Sequence, residues 1–411
     1  MAHLPTTSPD APQQDAGGAR RPLLSPALLL VFVATFGAMT SFFLLLSVVP
    51  QYAASASVGG GSVGAGMATG ALMLSTVLFE LVTPRLVARA GYRVMLAAGL
   101  LLLGVPSLAL SSATSLSAVL AVCVVRGVGV AIFVVGGAAL VAALVPPERR
   151  GEGLGLYGVV VGGPAIVALP AGVWLSGQVG YPAVFMIGAF SALAGLVAIP
   201  GLPARVTTPD APVGIVAGLR SAALVRPALI FALTSLATGV VVTFLPLAVP
   251  ARSGTLVAWA LLANAVTTTA CRWFAGLYAD RHGANVLLIP GVLMAAAGML
   301  SAAFIASPWA VVAGMVLVGG GFGIAQNASL TMMFDAVPPS GYDTASALWN
   351  LAYDGGLGLG GAALGVLAAQ TGYPVAFALT AALMVVALAP AWLARNNMPK
   401  AHSPPSGTEQ A

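Results

Sequence analysis

Charged side chains are scarce in this chain of 411 residues, since Asp, Glu, Lys and Arg together make up 7% of it. An average soluble domain has about 25%. So few charges cannot cover a water-facing surface, which excludes a soluble enzyme. Lysine is nearly absent: Lys400 is the single lysine among 16 basic residues. The arginines are spread over short segments and form no patch, so we expect no nucleic-acid partner.

Cysteine and histidine are also rare. Cys123 and Cys271 both lie in apolar runs, which gives no disulfide framework. The 3 histidines, His3, His282 and His402, all fall in polar segments. A metal site or a serine hydrolase needs more than this, so we expect no metal, no cofactor and no enzymatic activity.

Long apolar runs are abundant instead. Hydrophobic residues make up 59% of the chain, and the mean hydropathy is +0.99. About 20 apolar residues suffice to cross a bilayer as a helix, and lipid offers no partners for a backbone that is not helical. The sequence therefore predicts an all-α integral membrane protein with twelve transmembrane helices, numbered here as spans 1 to 12: 27–49, 64–84, 94–112, 116–143, 153–176, 183–201, 227–250, 255–275, 286–306, 309–335, 344–369 and 374–394.

Polar segments divide these spans into two groups of six. Residues 1–24 and 396–411 are predicted to be disordered tails, and residues 202–226 form the long internal linker. The two helical bundles are then residues 25–201 and 227–395.

The arginines predict the orientation. With the N-terminus inside, 13 of the 16 basic residues fall in cytosolic segments, and only Arg252 falls outside. Positive residues favour the cytosolic side. We therefore expect both termini and the linker to lie in the cytosol. The single lysine among the basic residues, with abundant Ala, Gly and Val, indicates a GC-rich bacterial genome and hence a bacterial cytoplasmic membrane.

The two halves repeat each other at an offset of 192 residues. Pro146 and Pro147 recur as Pro338 and Pro339. Six crossings restore the starting side, so the two halves run in parallel. Two such bundles around a midplane cavity are typical of a rocking transporter. Further pairs at this offset are Gly180-Tyr181-Pro182 with Gly372-Tyr373-Pro374, Arg89 and Gly91 with Arg281 and Gly283, and Gly127 and Gly129 with Gly319 and Gly321.

Two loop sequences carry a family signature. The loop after span 8 reads GLYADRHG, with Gly276, Asp280, Arg281 and Gly283. This resembles the cytoplasmic loop of the major facilitator superfamily. The loop after span 2 reads PRLVARAGYR and keeps Arg89, Gly91 and Arg93, but has Pro84 and Ala88 where the family has Gly and Asp.

Spans 4 and 5 extend the resemblance. Arg126 with Gly127 and Gly129 is similar to the family motif in span 4. The glycines and proline of span 5 resemble the motif of drug/proton antiporters, which implies export. These residues are Gly158, Gly162, Gly163, Pro164 and Gly172.

By resemblance, a charge cluster closes the cytosolic gate in one state and opens in the other. Asp280, Arg281 and Asp335 can build it in the second half, with Arg272 as a further partner of Asp335. The alternative is that these residues only anchor the helix ends.

Ionisable residues within spans are functional candidates by position, and three of them are the candidates for proton coupling. A carboxyl held away from water favours its neutral form, so Asp354 is the first candidate to carry a proton. Arg126 could set the charge of a neighbour, and Glu80 is the third candidate for proton coupling. The alternatives are a hydrogen-bonded structural carboxyl, a capping arginine and a snorkelling ion pair.

Spans 1, 4, 7 and 10 line the cavity in the family that the chain resembles. Aromatic and amide side chains on these spans and on span 11 are the candidates for substrate contact. Little embedded charge accompanies them, which favours an apolar or amphipathic substrate. The candidates are Phe36, Phe133, Phe244, Asn327, Asn350 and Tyr353.

The resulting hypothesis is a monomeric, proton-coupled exporter of a small organic compound, such as a drug. One alternative is a proton-coupled importer of a sugar or organic acid. Another is a membrane receptor or scaffold without transport. Substrate accumulation in vesicles under an imposed pH gradient distinguishes the three.

Overall fold

The computed structural model describes residues 25–146, 149–205, 218–250, 254–338, 341–386 and 388. Within these residues the regular structure is entirely helical. The predicted tails and the middle of the predicted linker lie outside the described residues.

The first half contains spans 1 to 6. Ser25 begins span 1, because its side chain accepts a hydrogen bond from the amide of Leu28, 3.2 Å away. Ser115 caps span 4 through the amide of Ala118 in the same way. The helices are Pro26–Leu46 with Val48–Ala54, Gly61–Glu80, the short Thr83–Ala90, Tyr92–Ala109, Leu116–Ala131 continuing through a π-helical turn into Ala138–Leu144, and Arg150–Ala194.

The second half contains spans 7 to 12. Ser307 caps span 10 by accepting from the amide of Ala310, at 3.4 Å. Pro308 at the first position of that helix is well placed, because its missing N–H has no partner in a helix there. The helices are Ala222–Ala248, Gly254–His282, Leu288–Ala302, Pro308–Asp335, Tyr342–Thr371 and Tyr373–Val386.

Nine segments of the described chain are long and apolar enough to cross a membrane. One of them, Glu152–Gly201, has 50 residues, and a helix of that length measures about 75 Å, more than twice the bilayer core. It bends at Gly180 and therefore holds spans 5 and 6. Span 8 is helical but carries Arg272, which lowers its hydropathy, and span 12 is described only as Tyr373–Val386. In the described residues, each of the twelve predicted spans contains a helix.

The backbone shows the repeat directly. Gly91 and Gly283 have φ of 82° and 84°, and Gly180 and Gly372 have φ of 80° and 82°. Only glycine adopts this region readily. Each pair is related by the offset of 192, and each glycine stands at the same turn of its half. The two six-helix halves therefore share one local geometry.

Hydrogen bonds inside the halves repeat as well. The hydroxyl of Thr76 in span 2 donates to the carbonyl of Gly127 in span 4 at 3.1 Å. The hydroxyl of Thr268 in span 8 donates to the carbonyl of Gly319 in span 10, also at 3.1 Å. The duplicated glycines let these helices approach closely, since a Cβ at Gly127 or Gly319 would clash with the facing backbone.

Span 2 packs against span 11 where the two halves meet. A Cβ on Gly66 would clash with the carbonyl of Gly361, so these helices touch through bare backbone. The hydroxyls of Thr69 in span 2 and Thr243 in span 7 are 2.9 Å apart and share a hydrogen bond across the halves. These contacts join the two halves near the span ends that lie farthest from the loops bearing the arginines.

Candidate functional site

Two of the predicted proton-coupling residues face each other between the halves. Glu80 of span 2 and Asp354 of span 11 are 8% and 4% exposed. The two carboxyl groups are close enough to influence each other electrostatically. In the described chain no donor group reaches Oε1 of Glu80. The polar group that faces the carboxyl of Glu80 is therefore the carboxyl of Asp354.

The packing of spans 2 and 11 sets this contact. Gly358 lies against Met73, and Gly361 lies against Thr69, so the register runs antiparallel along the two helices. If the same register continues toward the loops that bear the arginines, Glu80 at the end of the helix Gly61–Glu80 reaches the level of Asp354. The sequence named both residues as separate candidates, and no local signal connected them.

Arg126 occupies a different place. Its side chain is 1% exposed, and Nη2 donates to the carbonyl of Ser41 at 3.2 Å, while Nε has no partner among the described residues. It lines a small cavity beside Thr69 and Leu72. These residues precede Glu80 by 8 to 11 positions, or about 12 to 16 Å along span 2. Arg126 is therefore separated from the carboxyl pair.

The expected charge cluster is not assembled in this conformation. Asp280, Arg281 and Asp335 are exposed. Over the described ranges, the ion pair within 4 Å is Arg149 with Glu152, at 2.8 Å, and it includes none of them. A gate that breaks in one state is compatible with this arrangement, and the gating role stays a prediction.

The corresponding loop of the first half anchors the start of the linker. Nε of Arg93 donates to the carbonyl of Leu202 at 2.9 Å. Nη2 of Arg205 donates to the carbonyl of Arg89 at 3.4 Å. Gly91 lies against Ala204 so closely that a Cβ would clash. In this conformation, these loop residues therefore bind the backbone at the start of the linker.

The span 5 glycines divide into two kinds. A Cβ on Gly172 would clash with the carbonyl of Leu44, so this residue permits close packing against span 1. A Cβ on Gly158, Gly162 or Gly163 would meet nothing within 4 Å. The first half of the motif therefore borders open space. Pro164 is buried within the same helix.

Four aromatic rings form a stack beside Asp354. Phe231 of span 7 lies 4.5 Å from Trp349 and 5.9 Å from Tyr353 between ring centroids, with interplanar angles of 13° in both pairs. Phe322 of span 10 lies 5.8 Å from Phe231. The indole N–H of Trp349 donates to Oγ of Ser329 at 3.1 Å, which fixes the ring. The sequence identified Tyr353, but it gave no reason to single out Trp349.

Three aromatic residues predicted to line the cavity differ in how deeply they are buried. Phe133 is fully buried against Gly99 of span 3, inside the first half. Phe244 is buried and pairs with Tyr373 of span 12, with centroids 6.1 Å apart. Both rings fill spaces between helices in this conformation, and their assignment to the substrate cavity stays a prediction. Phe36 is 55% exposed.

The predicted amides remain available for binding. Asn327 and Asn350 are half-buried. Oδ1 of Asn327 has no hydrogen-bond partner in the described part of the chain, and its amide faces Gly276 across spans 8 and 10. Asn350 precedes Asp354 by one helical turn on the same face.

Comparison with known proteins is consistent with this architecture. A family model described as the Major Facilitator Superfamily matches residues 31–251 and 228–411. An uncharacterised transporter of the same type, YhhS of Salmonella typhimurium strain LT2, is 31% identical over 172 residues. That match covers 41% of this chain and 42% of YhhS, so the chain matches less than half the length of this relative.

Solved transporter structures share the fold at low sequence identity. The xylose transporter XylE from E. coli, in a partially occluded inward-open conformation, has a TM-score of 0.72 at 13% identity, covering 92% of this chain and 99% of XylE. A mutant form of the nucleoside transporter NupG has a TM-score of 0.69 at 15% identity, covering 90% of this chain and 99% of NupG. A bacterial homologue of the lysosomal transporter Spinster, inward-facing and unoccupied, also scores 0.69 at 15% identity, covering 90% and 96%.

A match over nearly the whole chain, joined to the duplicated six-helix halves and the loop signature, decides the family. The chain is a multi-pass membrane protein, and it belongs to the major facilitator superfamily.

Proposed function

We propose that the protein exports a small amphipathic organic compound in exchange for protons, and that Glu80 and Asp354 together form the proton site. The observation that carries this proposal is that two buried carboxyls face each other electrostatically where spans 2 and 11 pack together across the two halves. We further propose that it works in the cytoplasmic membrane of a bacterium as a monomer, with both termini cytosolic.

A carboxyl pair of this kind is suited to hold one proton. Two ionised carboxylates in contact repel each other strongly away from water, and a proton shared between them removes that repulsion. The pair then titrates as one unit. Because its members belong to different halves, the shared proton is bound only while spans 2 and 11 are together.

Rocking of the halves would release that proton. When spans 2 and 11 separate, each carboxyl meets water, where it ionises readily. Proton binding thus favours the conformation in which the pair is closed, and a ligand shifts a two-state equilibrium by its differential affinity. The pair therefore links the proton to the conformational change. The resemblance of span 5 to antiporters supports the outward direction for the substrate.

Inverted membrane vesicles test this function. Respiration acidifies their interior, and a pH-sensitive dye reports proton efflux when a compound is added. We expect members of an amphipathic panel, containing neutral, cationic and anionic aromatic compounds, to release protons only with the transporter present. Asp354→Asn and Glu80→Gln should abolish the response.

Glu152→Gln is the matched control, because Glu152 is an exposed carboxyl outside the site. Its response should equal that of the wild type. Full proton release by both site variants would disprove the shared-proton site. Accumulation in right-side-out vesicles with an inward proton gradient would favour the importer, and binding without any proton movement would favour a receptor.

A further inference from the structure

The two interfaces between the halves carry different chemistry at equivalent positions. The offset of 192 takes Glu80 to Arg272 and Gly162 to Asp354. The repeated hydrogen bonds and glycine turns show that this correspondence holds in the structure. Spans 2 and 11 place two carboxyls together. Span 8 also packs on the helix Arg150–Ala194, which contains span 5, and spans 8 and 5 offer a guanidinium and a glycine at those positions.

Space remains where the second acid would stand. A Cβ on Gly162 would meet no atom within 4 Å, and the same holds for Gly158 one turn away. Gly158 is itself the counterpart of Asn350 at the offset of 192. Span 5 therefore presents a surface without side chains at the level where span 11 presents an amide and a carboxyl.

Arg272 lacks an anionic partner. It is half-buried, and among the described residues it makes neither an ion pair nor a hydrogen bond. Its charge lies close enough to act on the phenol of Tyr353 in span 11. A guanidinium withdrawn from water is costly unless an acceptor satisfies it. Arginine is also the side chain that holds carboxylates in a bidentate manner.

An aromatic surface flanks this arginine. The half-buried rings of Trp349 and Tyr353 stand in front of the fully buried ring of Phe231, with their planes nearly parallel. The bond from Trp349 to Ser329 holds the indole in place. Aromatic side chains favour offset stacking with another planar ring.

We infer that the transported compound is a planar aromatic carboxylate, whose carboxylate binds Arg272 in front of Gly162 and whose ring packs against Tyr353 and Trp349. The ligand would supply the acid that the chain lacks at this interface. This inference rests on the proposed transport function and names the substrate class for it. The amide of Asn350 is available as an additional donor.

Direct binding to the purified full-length protein in nanodiscs tests the inference. The probes are 2-naphthoate, the neutral 2-naphthamide, and the saturated decahydro-2-naphthoate. We expect 2-naphthoate to bind at least tenfold more tightly than either of the other two. Arg272→Gln should weaken 2-naphthoate binding at least tenfold and leave 2-naphthamide unchanged. Arg220→Gln, which alters an exposed arginine outside the site, should bind as the wild type does.

A pair of span 5 variants isolates charge from size. Gly162→Asp places an acid opposite Arg272 and should abolish 2-naphthoate binding, because the internal carboxylate takes the ligand's place. Gly162→Asn has nearly the same volume without the charge and should keep most of the affinity. Equal loss in both variants would mean that space alone matters, which overturns the assignment of Arg272. Thermal unfolding of the Gly162→Asp variant, with a midpoint equal to that of the wild type, verifies that the variant is folded.

The result separates this inference from the transport proposal. If 2-naphthoate does not bind, or if Arg272→Gln binds it normally, the substrate class is wrong. Proton release by neutral or cationic compounds in the vesicle assay would then still support proton-coupled export. If no compound releases protons but 2-naphthoate binds through Arg272, the site stands and the transport proposal fails.

Discussion

The interface between spans 2 and 11 differs from the interface between spans 5 and 8, although one repeat generates both. Glu80 and Asp354 meet at the first, while Arg272 and Gly162 hold the equivalent positions at the second. The backbone turns and the hydrogen bonds between helices agree closely in the two halves. Backbone geometry is thus retained where ionisable chemistry has diverged.

This difference shows which features a symmetric scaffold must keep. Glycines such as Gly127 and Gly319 cannot change, because a Cβ at either would clash with the neighbouring helix. A residue that faces the space between the halves has no such constraint. The chemistry of the two interfaces can therefore differ, as proposed above for a proton and a ligand, without altering how the helices pack.

The largest expected effect breaks the proton interface. Asp354→Asn leaves a neutral side chain of the same shape beside Glu80, so no proton return is linked to rocking. Accumulation against a gradient should fall to background, while exchange of substrate down its own gradient continues. Binding should also lose its pH dependence between about pH 5 and 8, the range reached by a carboxyl in an apolar site. Flux measurements in proteoliposomes distinguish the two modes, and retained accumulation with an unchanged pH profile would make Asp354 structural.

A second test contrasts the packing at the two interfaces. Gly66→Val inserts a branched side chain against the carbonyl of Gly361 and should destabilise the protein by about 1–3 kcal/mol. Gly162→Ala enters open space and should leave stability unchanged or raise it by up to about 1 kcal/mol, since alanine favours the helix. Thermal unfolding in detergent measures both. A similar loss in the two variants would mean that span 5 is as tightly packed as span 2.

A third test contrasts the two loops. Asp280→Asn should lower the transport rate several-fold with little change in thermal midpoint, because Asp280 is exposed and makes no ion pair with a described residue in this conformation. Its charge would then matter only in the other state of the gate. Ala88→Asp should be tolerated, since the equivalent site of the first half is exposed. Wild-type rates in Asp280→Asn would make the loop charges simple anchors.

The smallest effect concerns Arg126. Arg126 lies beside Thr69 and Leu72, which are about 12 to 16 Å from Glu80 along span 2, so Arg126→Gln should shift the pH profile of transport without abolishing coupling. Transport measured from pH 5 to 9 reveals the shift. Complete loss of gradient-driven accumulation in a correctly folded Arg126→Gln protein would instead place Arg126 in the proton site.

The sequence predicted some elements well because their signals are local. Twenty apolar residues specify a membrane helix wherever they occur, so the spans could be recognised one by one. The duplicated motifs needed no structure either, since an offset of 192 is read directly from letters. The burial of single aromatic side chains was harder to predict. Nothing in the sequence near Phe133 or Phe244 shows that neighbouring helices cover both rings in this conformation.

The amino-acid sequence by itself determined the helical membrane fold, its two matching halves and the rarity of embedded charge, because hydropathy and repetition act along the chain. Only the tertiary structure decided that Glu80 and Asp354 face each other, that Arg126 stands apart from them, and that Gly162 leaves space. Those facts depend on the rotation and register of helices far apart in the chain. Close contacts between backbones, such as the one between Gly66 and Gly361, fix that register, and no local pattern records it.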